Sequence, residues 1–223
     1  MTLKAAIFDW DGTITDSNNI KTEAFIELFK DLGTLASNYI RCYQKNHGGI
    51  SRFEKYRHYV RHFFNREVSP SELENFGLIY TSLCKEKLLS APFISGAIET
   101  LHKLTTQKIP AFIVTGSPAE EIKEIATARN LLPMLKHIYG SPRTKDTLLA
   151  SLLSENNLQP EETIFFGDSL TDYHAAKINK IPFIGVCIEG NPSPFPPQTT
   201  VTSSIDLKIC LQIKKTRKKI PNF

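Results

Sequence analysis

The sequence lacks several features that would assign it to a specialised class of protein. Its 223 residues include four cysteines, at positions 42, 84, 187 and 210, and none of them forms a Cys-x-x-Cys pair. Widely spaced cysteines are typical of reduced thiols and argue against a disulfide framework or a zinc site. No apolar run approaches the roughly 18 residues of a membrane span, and no basic stretch with a cleavage site precedes the first strand. We therefore expect a cytoplasmic protein with no membrane span.

The net charge of +4 is concentrated at one end of the chain. Residues 208–223 contain six basic residues and no acid, which leaves 21 basic and 23 acidic residues in the rest. A basic tail can bind nucleic acid or an anionic surface. Terminal segments are more often simply solvated, so we expect no specific nucleic-acid partner.

The order of predicted elements indicates an α/β protein. Short apolar runs predict strands at residues 3–8, 111–114, 137–139, 163–166 and 183–186, and helical patterns lie between most of them. This alternation predicts a doubly wound, Rossmann-like parallel sheet. Residues 34–89 contain no strand-like run, only aromatic-rich helical stretches. We therefore predict a catalytic core (1–16 and 91–207), an inserted helical cap (17–90) and a basic tail (208–223).

The first predicted strand ends in the sequence FDWDGTITDS, residues 8–17. Because side chains alternate across a strand, Asp9 and Asp11 share a face and Trp10 points away into packing. Two carboxylates at the carboxyl edge of a parallel sheet can hold Mg²⁺, and Gly12 allows a sharp turn behind them. The alternative is that both acids merely cap the following helix.

Three further segments favour a functional site at that edge. The second predicted strand ends in Thr115, Gly116 and Ser117, a hydroxyl followed by backbone amides at a helix start, which is suited to a phosphate. Lys145 begins a later helix, and another strand is followed by Asp168 and Asp172. Since a parallel sheet brings these strand ends together, we predict that they form one site.

This ordered set, DWDGT, VTGS, Lys145 and GDSLTD, resembles the haloacid dehalogenase superfamily. The resemblance covers the core from residue 3 to about 186. A helical insertion directly after the first motif is similar to the members with a helical cap, such as phosphoglycolate phosphatase and β-phosphoglucomutase-like enzymes.

The resemblance implies a role for each residue of the set. Asp9 would be the nucleophile and form an aspartyl-phosphate, and Asp11 would be the general acid and base. Thr115 and Lys145 would hold the phosphoryl oxygens, with Gly12, Gly116 and Ser117 lining the phosphate site. Mg²⁺ would be bound by Asp9, Asp168 and the backbone carbonyl of Asp11, with support from Asp172. Dehalogenase-type and phosphonate-cleaving members lack the second acid, so Asp11 favours phosphate esters.

Residues of the predicted cap bear on the substrate. The stretch HGGISRFEK, residues 47–55, resembles a Gly-x-Ser-Arg cap loop whose arginine, here Arg52, would bind an anionic or hydroxylated part of the substrate. A surface arginine is the alternative. Mutase-like members often carry a histidine where this chain has Lys21, which could contact an anionic substrate or be an ordinary solvated lysine. His58 and His62 lie four apart, but no third ligand is evident, and we favour packing over zinc.

We therefore predict a Mg²⁺-dependent phosphatase that acts on a small phosphorylated metabolite. A β-phosphoglucomutase-like sugar phosphomutase is the first alternative, because mutases share all four motifs. A non-catalytic relative that binds a polyanion through its tail is the second. We take a monomer as the default, since a cap inserted at this point usually covers its own site.

Overall fold

A single sheet of six strands forms the centre of the protein in the computed structural model, which describes residues 3–208. All of its strand pairs are parallel. The strands are β1 (Ala5–Phe8), β2 (Ala111–Pro118), β3 (His137–Ser141), β4 (Thr163–Gly167), β5 (Phe183–Val186) and β6 (Val201–Thr202).

The strand order in this sheet is β3-β2-β1-β4-β5-β6. The order reverses at β1, which pairs with β2 on one side and with β4 on the other. Ligands of doubly wound sheets bind beyond the carboxyl ends of the strands at such a reversal. The predicted α/β fold is confirmed, and its topology places the ends of β1, β2 and β4 side by side.

The position of β1 at the centre of the sheet explains why its sequence is a continuous apolar run. All four of its residues are completely buried. Ala6 and Phe8 belong to the larger hydrophobic cluster on one face of the sheet, whereas Ala5 and Ile7 belong to a second cluster on the other face. A strand covered on both faces has no position for a polar side chain, so the first acid appears only where the strand ends.

Among residues 3–206, eight α-helices accompany the sheet. They are α1 (Asn18–Leu28), α2 (Gly33–Asn46), α3 (Arg52–Phe64), α4 (Pro70–Ser90), α5 (Ala97–Thr106), α6 (Ala119–Ala128), α7 (Lys145–Glu155) and α8 (Leu170–Ile178), with short 3-10 turns at Lys30–Leu32, Leu132–Met134 and Pro160–Glu162. The larger cluster includes apolar residues of α5 and α6, and the second includes those of α7 and α8. Helices therefore cover both faces of the sheet.

Helices α1 to α4 make up the segment predicted as a cap. An aromatic group joins them: the Phe25 ring on α1 lies 5.2 Å from the ring of Tyr59, 5.8 Å from Phe76 and 4.7 Å from Tyr80. Helix α4 begins with a capping box, in which Ser69 and Glu72 exchange side-chain hydrogen bonds with each other's backbone. The same aromatic residues belong to the larger hydrophobic cluster, so the segment packs continuously with one face of the sheet.

The two histidines of α3 stack on tyrosines of α2. His62 lies 3.9 Å from the ring of Tyr39, and His58 lies 4.0 Å from the ring of Tyr43. The His58 Nε2 atom is also 2.7 Å from the Tyr39 hydroxyl. The contacts are those of packed rings, as favoured for this pair from the sequence.

The bounds of several elements differ from the sequence-based prediction, which ended the second strand at residue 114, began the next helix at Pro118 and placed a helix stop at Gly33, and one strand was not predicted. Strand β2 continues to Pro118, which pairs with Ser141 of β3, so α6 begins at Ala119 and not at the proline. Gly33, expected to stop a helix, begins α2 instead, because its positive φ of 78° reverses the chain direction after the 3-10 turn. Strand β6 was not predicted, since two residues are too few to show alternation.

Within residues 3–208, no helix has the length and apolar character of a membrane span. The predicted basic tail, apart from Lys208, lies outside the described residues.

Candidate active site

Asp9 is the first residue after β1, and its backbone still pairs with β4. The Asp9 N–H donates a hydrogen bond to the Phe166 carbonyl at 2.9 Å, and the carboxylate is only 3% exposed. Trp10, on the opposite face, is 1% exposed and packs in the larger hydrophobic cluster. The alternation expected from the sequence thus directs the acid to the sheet edge and the indole to the core.

A tight turn follows Asp11 and brings the chain back against the site. The N–H groups of Ile14 and Thr15 both donate to the Trp10 carbonyl, at 2.8 and 3.0 Å. Gly12 adopts a φ of +75°, and a Cβ atom there would lie 2.1 Å from Oδ2 of Asp168. Glycine is therefore required at this position both by the backbone conformation and by the approach of the β4 loop.

Three carboxylates converge at the ends of β1 and β4. Oxygen atoms of Asp9, Asp168 and Asp172 all lie within 4.8 Å of one another. Burial, followed by the charge of Asp172, raises the pKa of Asp168 to about 7. Asn18 donates to Oδ2 of Asp168 at 2.6 Å. Buried acids at this spacing repel one another unless a cation lies among them, and a hard, oxygen-liganded ion fits the donor set.

Lys145 provides a positive charge inside this acidic cluster. Its Nζ atom lies 2.9 Å from Oδ1 of Asp9 and 2.6 Å from Oδ1 of Asp172. Burial alone would lower the pKa of Lys145, but the two carboxylates outweigh it and the pKa lies above its usual value. Burial has the largest effect on Asp9 and raises the pKa of that carboxyl well above normal, although Lys145 acts against the increase.

The Asp11 carboxylate is held by a different set of groups. It accepts hydrogen bonds from Ser17 Oγ at 2.6 Å, from Ser117 Oγ at 3.1 Å and from the Lys21 ammonium. Burial would raise the pKa of Asp11, but the charge of Lys21 and these hydrogen bonds outweigh it, so the pKa lies below its usual value. The two acids of the first motif therefore have oppositely shifted pKa values, although only one residue separates them.

The end of β2 supplies hydroxyl groups and a close contact with the predicted cap. Thr115 is completely buried, and its Oγ1 accepts a hydrogen bond from the Ser117 N–H at 3.1 Å. A Cβ atom on Gly116 would lie 2.4 Å from the carbonyl oxygen of Gly49. The loop between α2 and α3 thus rests directly on the backbone of the β2 loop.

That same loop, residues 47–51, also contacts the start of α8. Thr171 Oγ1 donates to the Gly48 carbonyl at 2.7 Å. A Cβ atom on Gly49, where φ is +74°, would lie 2.7 Å from Ser169 Oγ and 3.2 Å from Lys145 Nζ. Two glycines therefore let the loop lie against the catalytic edge with no side chain between them.

Arg52, at the start of α3, is engaged by an acid of the core. Its Nη1 atom lies 2.5 Å from Oε2 of Glu121 on α6, and both side chains are 12% exposed. The guanidinium also lies 5.3 Å from the ring of Tyr80. Its predicted contact with substrate stays a prediction, while the observed pair joins the cap segment to the core.

Lys55 was missed by the sequence analysis. It is 8% exposed, and its Nζ atom donates to Oε1 of Gln44 at 2.6 Å. The charges that act on it are those of Lys21, Asp11, Asp168 and Lys145. The sequence offered one indication: Lys55 lies three residues after Arg52, on the same helix face.

A sequence model of the haloacid dehalogenase-like hydrolases matches residues 6–186 of this chain. The chain belongs to that family. The match runs from β1 to β5 and contains all eleven predicted site residues, together with the four helices of the cap segment. The predicted family and the prediction of a hydrolase are confirmed.

The individual proteins that this hydrolase resembles have sequence identities of 26% or less. Validoxylamine A 7'-phosphate phosphatase of Streptomyces hygroscopicus subsp. limoneus is 26% identical over 181 residues, which cover 78% of this chain and 81% of the relative. A solved structure of a predicted phosphoglycolate phosphatase from Haemophilus somnus 129PT superposes with a TM-score of 0.72 at 20% identity, covering 96% and 99% of the two chains. A β-phosphoglucomutase from Clostridium difficile superposes with a TM-score of 0.76 at 16% identity, covering 98% and 99%. At these identities the solved structures show the fold.

Proposed function

We propose that this hydrolase is a Mg²⁺-dependent phosphatase that cleaves a phosphate monoester of a small metabolite through an aspartyl-phosphate. The observation that carries the proposal is the pair Asp9 and Asp11, one beside Lys145 and the acid cluster, the other bound to Lys21 and two hydroxyls. Titratable groups whose environments shift their pKa values in opposite directions are typical of catalytic pairs. The phosphatases among the relatives support the same reaction.

The reaction takes place in two displacements. In the first, a carboxylate oxygen of Asp9 attacks phosphorus, the P–O bond to the alcohol breaks, and Asp11 donates a proton to the leaving oxygen. In the second, water attacks phosphorus, Asp11 takes its proton, and the bond between phosphorus and Asp9 breaks to release phosphate. Lys145 and the Thr115 hydroxyl offset charge on the phosphoryl oxygens.

The acid cluster fits the proposed metal. Asp9, Asp168 and Asp172 offer closely spaced carboxylate oxygens, two of them with raised pKa values. When bound there, Mg²⁺ would reduce the repulsion between the Asp9 carboxylate and an anionic phosphate. The Asp11 carboxylate is occupied by Lys21, Ser17 and Ser117, so Asp11 would contribute to the metal site only through its backbone carbonyl.

Lys21 determines the protonation state of Asp11 in this arrangement. A carboxylate held by an ammonium and two hydroxyls is ionised, which is the state required to take a proton from water in the second displacement. For the first displacement Asp11 must carry a proton, so the contact with Lys21 has to loosen when substrate enters. We propose that residues 17–90 act as the cap and close over the substrate through the loop at 47–51.

The phosphomutase alternative shares the core chemistry but needs a different cap contact. Mutase-like members often use a histidine where this chain has Lys21, and here the ammonium is bound to Asp11 and Ser117. We therefore favour water as the acceptor of the phosphoryl group. Incubation with β-glucose 1-phosphate distinguishes the two, since a mutase would form glucose 6-phosphate and a phosphatase would release inorganic phosphate.

Hydrolysis of p-nitrophenyl phosphate tests the proposed function. We expect turnover that requires Mg²⁺ and that falls by at least about 10³-fold in Asp9→Asn, because the nucleophile is lost. Asp16→Asn is the matched control, since Asp16 is an exposed acid on the same loop. Absence of turnover with Mg²⁺ present, or full activity in Asp9→Asn, would refute the proposal. If the protein then binds a polyanion and loses that binding on deletion of residues 208–223, the non-catalytic alternative holds.

A further inference from the structure

The cations at the candidate active site differ in how their charges are balanced. Lys145 lies within 3 Å of two carboxylates, and Lys21 is bound to the Asp11 carboxylate. Lys55 is nearly as buried, but its hydrogen-bond partner is the neutral amide of Gln44. Among residues 3–208, no carboxylate lies within ion-pair distance of it. A buried ammonium without a counter-ion is costly, and an anionic ligand would supply the missing charge.

The position of Lys55 indicates which part of a substrate it would meet. It lies on α3, directly after the loop that rests against Ser169, Thr171 and Lys145. The charges that act on its ammonium are those of Lys21, Asp11, Asp168 and Lys145. Asp11 is the group proposed to donate its proton to the leaving oxygen. Lys145 and Thr115 of the core are assigned to the transferred phosphoryl group, so a cation on the cap helix α3 is left to meet the rest of the substrate.

Gln44 gives the same place a second polar group. Its Oε1 atom accepts from Lys55 at 2.6 Å, and its amide also acts on the buried Tyr59 hydroxyl, where it partly offsets the effect of burial on the Tyr59 pKa. Arg52, the cation that the sequence suggested for this task, is already paired with Glu121. Gln44 thus holds the Lys55 ammonium in place, and the ammonium presents donors that a carboxylate or phosphate oxygen can accept from.

We propose that Lys55, with Gln44, forms a subsite for a second anionic group on the alcohol part of the substrate. The inference rests on the proposed phosphatase function and adds a substrate class to it: phosphate monoesters that carry a carboxylate or a second phosphate. Lys55 binds that group when the cap closes, so recognition of the substrate and closure of the site depend on the same helix.

The test compares substrates with and without a second anionic group. The carboxylate arm uses 3- and 4-carboxyphenyl phosphate, each against its neutral carboxamide, and the phosphate arm uses the corresponding phenylene bisphosphates against phenyl phosphate. We expect wild-type kcat/KM to favour the anionic member at least tenfold in one of these pairs, and the arm that responds identifies the anion. Lys55→Met should reduce that ratio to near one, and Lys55→Arg should retain most of it.

Lys45→Met is the matched control, because Lys45 is an exposed lysine beside Gln44 and its removal should leave the ratio unchanged. Calorimetric titration of Asp9→Asn with the same pairs reports binding without turnover. The subsite is refuted if wild type hydrolyses these esters without preferring the anion, if Lys55→Met lowers both members of a pair equally, or if Lys45→Met has the same effect. If no ester is hydrolysed with Mg²⁺ while the calorimetric preference persists, the subsite stands and the proposed reaction fails.

Discussion

Replacement of Lys55 by methionine should stabilise the protein. Burial, together with the charge of Lys21, lowers the pKa of Lys55 from its usual 10.5 to about 8. Each pKa unit corresponds to about 1.4 kcal/mol, so holding this ammonium charged at pH 7 costs the folded state about 3 kcal/mol. Methionine has a similar length and no charge, which removes that cost.

The gain is reduced by the hydrogen bond that the substitution breaks. Lys55 donates to Oε1 of Gln44 at 2.6 Å, and loss of one such bond costs about 1 kcal/mol. The net expectation is an increase of about 2 kcal/mol in the free energy of unfolding at pH 7. For a chain of this length that corresponds to a rise in Tm of about 4–8 °C.

The dependence on pH distinguishes this explanation from general repacking. Because the folded-state pKa of Lys55 lies below the unfolded value, the unfolded chain binds more protons between pH 8 and 10.5. Wild-type stability therefore gains, relative to Lys55→Met, as the pH rises through this window. The advantage of the variant should be complete below pH 8, and above pH 10.5 it should be replaced by a deficit of about 1 kcal/mol, the cost of the lost hydrogen bond.

Urea unfolding of both proteins at pH 7 and at pH 9.5, followed by circular dichroism, measures this difference. Lys45→Met, which changes an exposed lysine, should alter stability by less than about 0.5 kcal/mol at either pH. A Lys55→Met protein that is less stable than wild type at pH 7, or whose advantage is the same at both pH values, would contradict the reasoning.

Three further changes probe the contacts around the site. Gly49→Ala and Gly33→Ala both place a side chain at a positive φ, and each should cost at least about 1 kcal/mol in urea unfolding. Only Gly49→Ala should lower kcat/KM by tenfold or more, because its Cβ meets Ser169 and Lys145, whereas nothing lies within 4 Å at Gly33. Equal activities of the two variants would contradict this. Saturating Mg²⁺ should raise the Tm of wild type by several degrees and leave that of Asp168→Asn unchanged in a thermal-shift assay, because a ligand that binds only the folded state stabilises it; an equal rise in both would place the metal elsewhere. Glu121→Gln should destabilise the protein by about 2 kcal/mol in urea unfolding, because it leaves the mostly buried Arg52 guanidinium without its carboxylate. An unchanged stability would mean that this pair does not join cap and core.

The helical cap segment shows where sequence reasoning succeeded and where it stopped. Aromatic residues recur at helical spacing and predict helices at residues 39–45, 51–65 and 71–88, and the observed α3 and α4 lie within two residues of the last two ranges. The start of α2 was missed, because its first turn carries Leu35, which is 85% exposed, and so shows no apolar face. Periodicity reports burial, and a helix turn that buries nothing leaves no pattern.

The partners of the charged side chains also could not be predicted from the sequence. Arg52 and Glu121 are 69 positions apart and Asp11 and Ser117 are 106 apart, so only the folded chain brings each pair together. Lys21, for which a solvated surface position was one interpretation, instead holds the Asp11 carboxylate. Lys55 was overlooked because a lysine on a helix is usually exposed, and its spacing of three residues from Arg52 was the only local indication that it is buried.

The sequence by itself determined the α/β fold, the family and the carboxyl edge of the sheet as the place of the site. These follow from local patterns: apolar runs that end in acids, and a chain order that makes the strands parallel. Only the tertiary structure decided the electrostatics within that site. Whether a charge lies in water, beside an opposite charge or alone in the interior depends on contacts between distant segments. For this reason the sequence shows that Asp9, Asp11 and Lys55 are ionisable, but it does not show which of them are protonated or which groups they contact.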